Sequence, residues 1–356
     1  MMSKRFRIGL GVTALATLLA SPSRAGITLI GSPITSGGYT FTNFDFSPLT
    51  GTSTGSNANG ISNSGQVTGT TVDAAGVPTF TNFAGNPLTG TLTQLNTGAG
   101  QTAFGINSAG NVVGGNTTNA FFLPNGGSLQ LLTTPATAIN AFGINDNGNI
   151  VGQFTSGPNT PGFILNSITS TSFTTINQPT GITADVINAQ GINNHGLVVG
   201  FYLGNDGQVH GFTAVAPTTP GTITATAVKD PTIPTIPGEP GATFVFSQIL
   251  GINDHGLAVG YFGDSTTSQH GYFYNTNTGT YTFLDDPAAR FHNGVEITQI
   301  TGITNSGEIS GFYTDANGTF HSFVAVPVPE PSSVVLLGIG LTSVLICARR
   351  RMARAA

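Results

Sequence analysis

One spacing in this chain limits what it can fold into: Gly-Ile, three residues, a second glycine, three residues, a third glycine. It occurs six times, beginning at Gly60, Gly105, Gly143, Gly191, Gly251 and Gly302. The second glycines are Gly65, Gly110, Gly148, Gly196, Gly256 and Gly307, and the third are Gly69, Gly114, Gly152, Gly200, Gly260 and Gly311. Self-similarity at a period of tens of residues marks a repeat architecture, in which each unit buries its apolar face against its neighbours. The starts differ by 45, 38, 48, 60 and 51 residues.

The last copies show what one unit contains. ITQITGIT, Asn305-Ser306-Gly307, EISGFYT, Asp315-Ala316-Asn317-Gly318 and TFHSFVAV alternate β-rich runs with turn clusters that close hairpins. The fifth copy reads FSQILGI, NDHG, LAVGYF, a longer loop, QHGYFY, NTNTG and TYTFLDD, a four-stranded antiparallel meander. Fourth or linking strands fall at 39–46, 91–96, 128–133, 172–177, 222–230 and 280–286. Four short strands in 40 to 50 residues is the size of a propeller blade. The expected fold class is therefore all-β: six four-stranded antiparallel units over residues 26–326, closing as a six-bladed β-propeller, with a β-solenoid or a pair of sandwiches as the alternative.

Aromatics follow the third glycine as Phe201-Tyr202, Tyr261-Phe262 and Phe312-Tyr313, with Phe154 just beyond Gly152. Recurrence at one repeat position points to core between units rather than to a ligand platform. The longest interval holds PTIPTIPGEPGA, residues 231–242, whose prolines keep it out of a central strand.

Charge separates sharply along the chain. Charged residues make up 7% of the 356, and of ten basic residues only Lys229 and Arg290 lie between Arg24 and Arg349. Fourteen of the fifteen acidic residues lie between Asp45 and Asp315, leaving that stretch at about −12. Such a body cannot neutralise phosphates, which excludes nucleic acid as a partner. Cys347 is the single cysteine, so no internal disulfide forms.

The ends read as addresses. Residues 1–25 have a basic start at Lys4, Arg5 and Arg7, an apolar run and Ser23-Arg24-Ala25, the pattern of a signal peptide cut after Ala25. Residues 327–356 carry Val328-Pro329-Glu330-Pro331, an apolar stretch at 332–348 long enough for a short transmembrane helix, and Arg349-Arg350-Arg351. The arginines anchor that end in the cytoplasm and place the body outside. This three-part tail resembles the PEP-CTERM sorting signal of exopolysaccharide-producing Gram-negative bacteria. The resemblance implies transient anchoring in the inner membrane through 332–348, cleavage by an exosortase near Pro329 to Pro331, and a mature protein at the cell surface or free. Signal peptidase and exosortase are then the processing partners.

The body resembles HAF-type extracellular repeat proteins, whose units combine an Asp-Pro turn, a Gly-Ile-Asn-Asn-x-Gly-x-x-x-Gly core and a His-Gly/Ala-Phe strand. The matches are Asp230-Pro231, Asp286-Pro287, residues 191–200 and 251–260, His210-Gly211-Phe212, His270-Gly271-Tyr272 and His321-Ser322-Phe323. The first three copies lack the strand histidine, and Ser62 replaces the core asparagine in the first.

Candidate chemistry is sparse. His210, His270 and His321 share one repeat position, where capping a hairpin or packing on the aromatic neighbour explains them better than joint metal binding across three blades. Asp146, Asp206, Asp254 and Asp315 sit in turns that Asx hydrogen bonding accounts for, without the donor pattern of a calcium loop. Asp285 and Asp286 are adjacent on a strand and point to opposite faces, poor geometry for a carboxylate pair. No nucleophile elbow, zinc-binding helix motif or phosphate loop appears. The expectation is a non-enzymatic exported surface or matrix protein with no cofactor, associated with exopolysaccharide. The alternatives are a propeller hydrolase with a face-loop aspartate such as Asp206 or Asp264, and a ligand-free spacer.

Overall fold

A computed structural model describes residues 26–47, 55–90, 92–183, 186–236 and 239–329. The expected signal peptide at 1–25, the helix at 332–348, and Glu330, Pro331, Arg349, Arg350 and Arg351 lie outside the described residues. Among these there is no helix, and so none long and apolar enough to cross a membrane.

The chain is all-β, and each signature heads an antiparallel meander in a propeller-like arrangement. In copy five the strands are Phe244–Ile252, Leu257–Asp264, Gln269–Asn275 and Thr280–Phe283, paired in that order. Copies one and four repeat this as separate four-stranded sheets. Hydrogen bonding yields five sheets rather than six, because copies two and three run together through the single pair Asn140↔Gly115, and Thr222–Thr224 adds a ninth strand in parallel with Thr174–Asn177. The arrangement is propeller-like rather than a solenoid or a pair of sandwiches: residues from all six signatures line one common cavity.

The last sheet takes its fourth strand from the other end of the chain, with the short strands Ile27–Leu29 and Ile34–Ser36 paired beyond it. Tyr39–Phe46 pairs with Phe320–Pro327, so that Ser322 lies opposite Phe44 and Pro327 opposite Tyr39. Alternation then splits the strand between two cores. Phe41 packs with Tyr313 and Phe323, while Phe44 and Phe46 pack with Ala58, Val67 and Phe83 of copy one.

Each signature glycine has its own physical reason. At the first, the innermost strand slips register, as between Ile249 and Gly251, and this bulge recurs in all six copies. A Cβ on Gly251 would come within 3.0 Å of the Gly302 Cα, so the bare glycines let neighbouring units touch backbone to backbone. The second closes the turn with positive φ, +76° at Gly256. The third lies opposite a buried ring: Gly69, Gly114, Gly152, Gly200, Gly260 and Gly311 face Phe83, Phe121, Phe163, Phe212, Tyr272 and Phe323. All six rings have 0% exposure, and with the flanking valines and isoleucines they build the cores between sheets.

Candidate functional site

Three layers of side chains surround the axis. The outermost is a polar belt made by the residue three after each first glycine. The Ser108 amide donates to Asp146 Oδ1 at 2.8 Å, Asp146 to Asn194 at 2.9 Å, and Asn194 to Asp254 at 2.7 Å. Asp254 then donates to Asn305, and Asn305 to Asn63, both at 2.8 Å. Asn63 Nδ2 passes over the short side chain of Ser108 to reach Asp146 Oδ2 at 3.0 Å. A second tier runs from Asn107 to the carbonyl of Asn145, and on through Asn193 and Asn253 to that of Thr304. It lapses where Thr304 and Ser62 replace asparagine.

Asp146 and Asp254 therefore join neighbouring units, whereas Asp206 and Asp315 make the expected Asx turns, accepting from the amides of Gln208 and Asn317. Burial raises Asp146 and Asp254, but the hydrogen bonds they accept outweigh it and hold both below the ordinary carboxylate range. Charged belt carboxylates thus stabilise the fold at neutral pH, and that contribution is lost as pH falls through their lowered values.

Beneath the belt lies a ring of isoleucines at 61, 106, 144, 192, 252 and 303, and beneath that a cavity of ≈ 320 Å³. The bulge residues Asn59, Phe104, Phe142, Gln190, Leu250 and Thr301 all line it. Gln248, Gln299, Phe201 and Phe312 add to its wall. Among the described residues, no carboxylate, imidazole, amine or thiol lines this space, and its one hydroxyl, on Thr301, donates to the Ala58 carbonyl at 2.8 Å. The expectation that the repeated aromatics form core holds for Phe262, Tyr313 and Tyr202, which are buried between sheets. Strand alternation turns their neighbours Phe201 and Phe312 to the cavity instead.

The three strand histidines lie in three different units, each with its own carboxylates. His210 Nδ1 meets Asp230 at 2.8 Å and Nε2 meets Asp206 at 3.1 Å. His321 Nδ1 meets Asp45 at 2.8 Å and Nε2 lies 3.6 Å from Asp315. His270 Nδ1 meets Asp285 at 2.8 Å, and its Nε2 lies 3.2 Å from Glu239 and 3.8 Å from Asp264. Each imidazole also packs on the preceding strand's ring, Tyr202, Tyr313 or Phe262. Both roles expected for them, hairpin clamp and aromatic neighbour, are realised. Burial pulls each histidine down, but the paired carboxylates outweigh it: His210 and His321 end raised, and His270 is pushed up to about 9.

Asp285 and Asp286 do point apart. Asp285 serves His270 and the Gly271 amide. Asp286 turns inward, 2% exposed, accepting from Ala288 N at 2.7 Å and Asn43 Nδ2 at 3.3 Å. Burial pushes its carboxyl up to about 6, with the Asp285 charge adding to the rise. The folded protein therefore holds a proton there that the unfolded chain releases near 3.9, and the stability so gained is lost as pH climbs through about 6. That loss amounts to about 2–3 kcal/mol between roughly pH 4 and pH 7. Urea denaturation of wild type and Asp286→Asn across this range checks it: the wild type should lose that much more than the variant, and parallel curves would refute it.

Residues 327–351 match the PEP-CTERM protein-sorting motif. The match makes this an exported protein of the exosortase-sorted kind, with a membrane-anchored C-terminal sorting signal of Gram-negative bacteria. Val328 and Pro329 directly follow the last strand, and the Val328 amide donates to Gly38 O at 2.8 Å. No curated protein matches the chain. Among solved structures, the chain is similar to a catalytically inactive virginiamycin B lyase from Staphylococcus aureus with quinupristin. That likeness has a TM-score of 0.39 and 14% identity over 83% of this chain and 90% of the other. A prolyl endopeptidase matches at TM-score 0.40 and 14% identity, over 81% of this chain and 46% of its own. A putative gluconolactonase matches at 0.41 and 11%, over 73% and 84%. At these scores none of them bears on what this chain binds or does.

Proposed function

We propose that the chain is a non-catalytic surface or matrix protein, a six-bladed β-propeller of HAF-type repeats whose axial cavity takes a neutral segment of exopolysaccharide. Support for six blades comes from the belt, in which copy two bonds to three, three to four, four to five, five to six and six to one. The nine-stranded sheet is then two four-stranded blades touching at one pair, with the short strand Thr222–Thr224 added at one edge.

The observation that carries the reading is the cavity wall. Amides from Asn59, Gln190, Gln248 and Gln299 stand among Phe104, Phe142, Phe201 and Phe312. Amides exchange hydrogen bonds with hydroxyl groups, aromatic faces cover the C–H side of a sugar ring, and the volume is at the lower end for ligand sites. General acid–base catalysis needs a titratable group, and the wall's one hydroxyl, on Thr301, is bonded to the Ala58 carbonyl and has no carboxylate or imidazole beside it in the lining to activate it.

Calorimetry with oligosaccharides cut from the producer's own exopolysaccharide tests it. Binding should be insensitive to salt, and Phe201→Ala or Gln190→Ala should weaken it about tenfold or more while thermal stability changes little. Absence of binding, with the protein found free of the matrix, would retire the proposal. Turnover of glycosides, abolished by Asp206→Asn, would replace it with the hydrolase.

A further inference from the structure

We propose that Glu239, Asp264 and His270 form a binding site for one first-row divalent cation of the zinc class, through two carboxylate oxygens and imidazole Nε2, with Asp285 orienting the ring. The candidate donor atoms all lie within 4.8 Å of one another. The three residues are 5%, 3% and 2% exposed. Asp264 Oδ2 is buried without a hydrogen-bond partner and lies 3.8 Å from His270 Nε2. Its other oxygen is held by the Thr266 hydroxyl at 2.7 Å and the Thr266 amide at 2.9 Å, so the orphan oxygen is kept aimed at the cluster. An unpaired buried carboxylate oxygen is costly, and a cation there removes the cost.

Asp285 completes the arrangement. Its Oδ2 bonds Nδ1 at 2.8 Å and its Oδ1 accepts from the Gly271 amide at 2.9 Å, which leaves Nε2 to face the two carboxylates. A carboxylate behind the imidazole is the usual means of fixing a ligating histidine. One imidazole with two carboxylates suits zinc or a similar ion, whereas calcium takes six to eight oxygens.

Charge points the same way. Three carboxylates surround one imidazole here, and no Lys or Arg forms an ion pair with any carboxylate among the described residues. Arg290 is turned onto the carbonyls of Pro287 and Ala289. The other two histidine clamps serve as internal controls. Each has two carboxylates, and only copy five gains a third, because the proline-rich loop carries Glu239 down onto the ring.

The test uses the full-length protein, stripped with EDTA, dialysed against zinc chloride and assayed for retained zinc, with cobalt(II) absorption as a second readout of the ligand field. One equivalent should remain. Glu239→Gln and Asp264→Asn should weaken binding by about 100-fold or more and Asp285→Asn by about 10–100-fold, while His210→Gln leaves it unchanged. Glu239→Gln keeps its shape and removes a buried charge, so without metal it should melt no lower than wild type; it remains decisive if Asp264→Asn fails to fold. Wild-type affinity in Glu239→Gln, zinc well below one equivalent in the wild type, or equal loss in His210→Gln would overturn the site.

Discussion

Gly200→Ala should abolish the folded state, whereas Gly207→Ala, seven residues away, should cost only about 1–2 kcal/mol. Gly207 sits at φ +80° in an open turn with nothing within 4 Å of the added methyl group, so only backbone strain opposes the change. At Gly200 the methyl carbon would fall 1.9 Å from the Asn188 carbonyl oxygen and 2.7 Å from the Phe212 ring. Neither can yield. The carbonyl belongs to the paired innermost strand, and Phe212 is buried between two sheets. Relief requires separating the first two strands of the unit, and the expected penalty is more than about 4 kcal/mol. The same clash recurs at Gly69, Gly114, Gly152, Gly260 and Gly311, with the carbonyl 2.0 to 2.1 Å away. Denaturant midpoints and near-ultraviolet dichroism of the two variants decide the matter. A Gly200→Ala protein melting within a few degrees of wild type would mean that the strand spacing is wrong.

Phe44→Ala should destabilise the protein by about 3–5 kcal/mol, the upper range for removing a fully buried ring. Phe44 has 0% exposure and lies at the seam where the first and last units meet, against Ala58, Phe83 and Val324. Its strand holds Ile27–Leu29 and Ile34–Ser36 on one side and Phe320–Pro327 on the other, so loosening it frees those short strands as well as leaving a cavity. Val215→Ala, at a position 68% exposed, should change stability by less than about 0.5 kcal/mol. Limited proteolysis gives an independent readout: in Phe44→Ala the cuts should concentrate N-terminal to residue 47. A loss of only about 1 kcal/mol with an unchanged digestion pattern would show that the seam does not hold the fold.

The glycine spacing made the repeat and its strands legible because each glycine answers to local backbone geometry, the same in every copy. Its fourth strands were legible too: those expected at 172–177 and 280–286 appear as Thr174–Asn177 and Thr280–Phe283. The rings covering the third glycines were harder to read. Phe83, Phe121 and Phe163 stand at different distances from their glycines, since hairpin loops vary in length, and only strand register reveals the pairing. The carboxylate partners of the histidines were hidden for a related reason. Asp45 reaches His321 from the opposite end of the chain, and Glu239 arrives on a loop found in one copy alone. The polar belt carried a readable signal, the asparagine or aspartate three residues after each first glycine, with serine once. Taken one turn at a time, those residues explain themselves locally, which masks their role between units.

Asp45 and His321 are 276 residues apart, yet they staple two strands of one sheet. A ribosome makes the first of these strands well before the second, with all six signatures between them. The early strand has local partners in Ile27–Leu29 and Ile34–Ser36, but its other edge must wait until all six signatures have been made, and pairings so remote form slowly. The late strand ends at Pro327, where the sorting motif begins. Folding of the body and handling of its tail are thus joined in space: the sorting motif is continuous with the strand that ties the last signature unit to the first residues of the body.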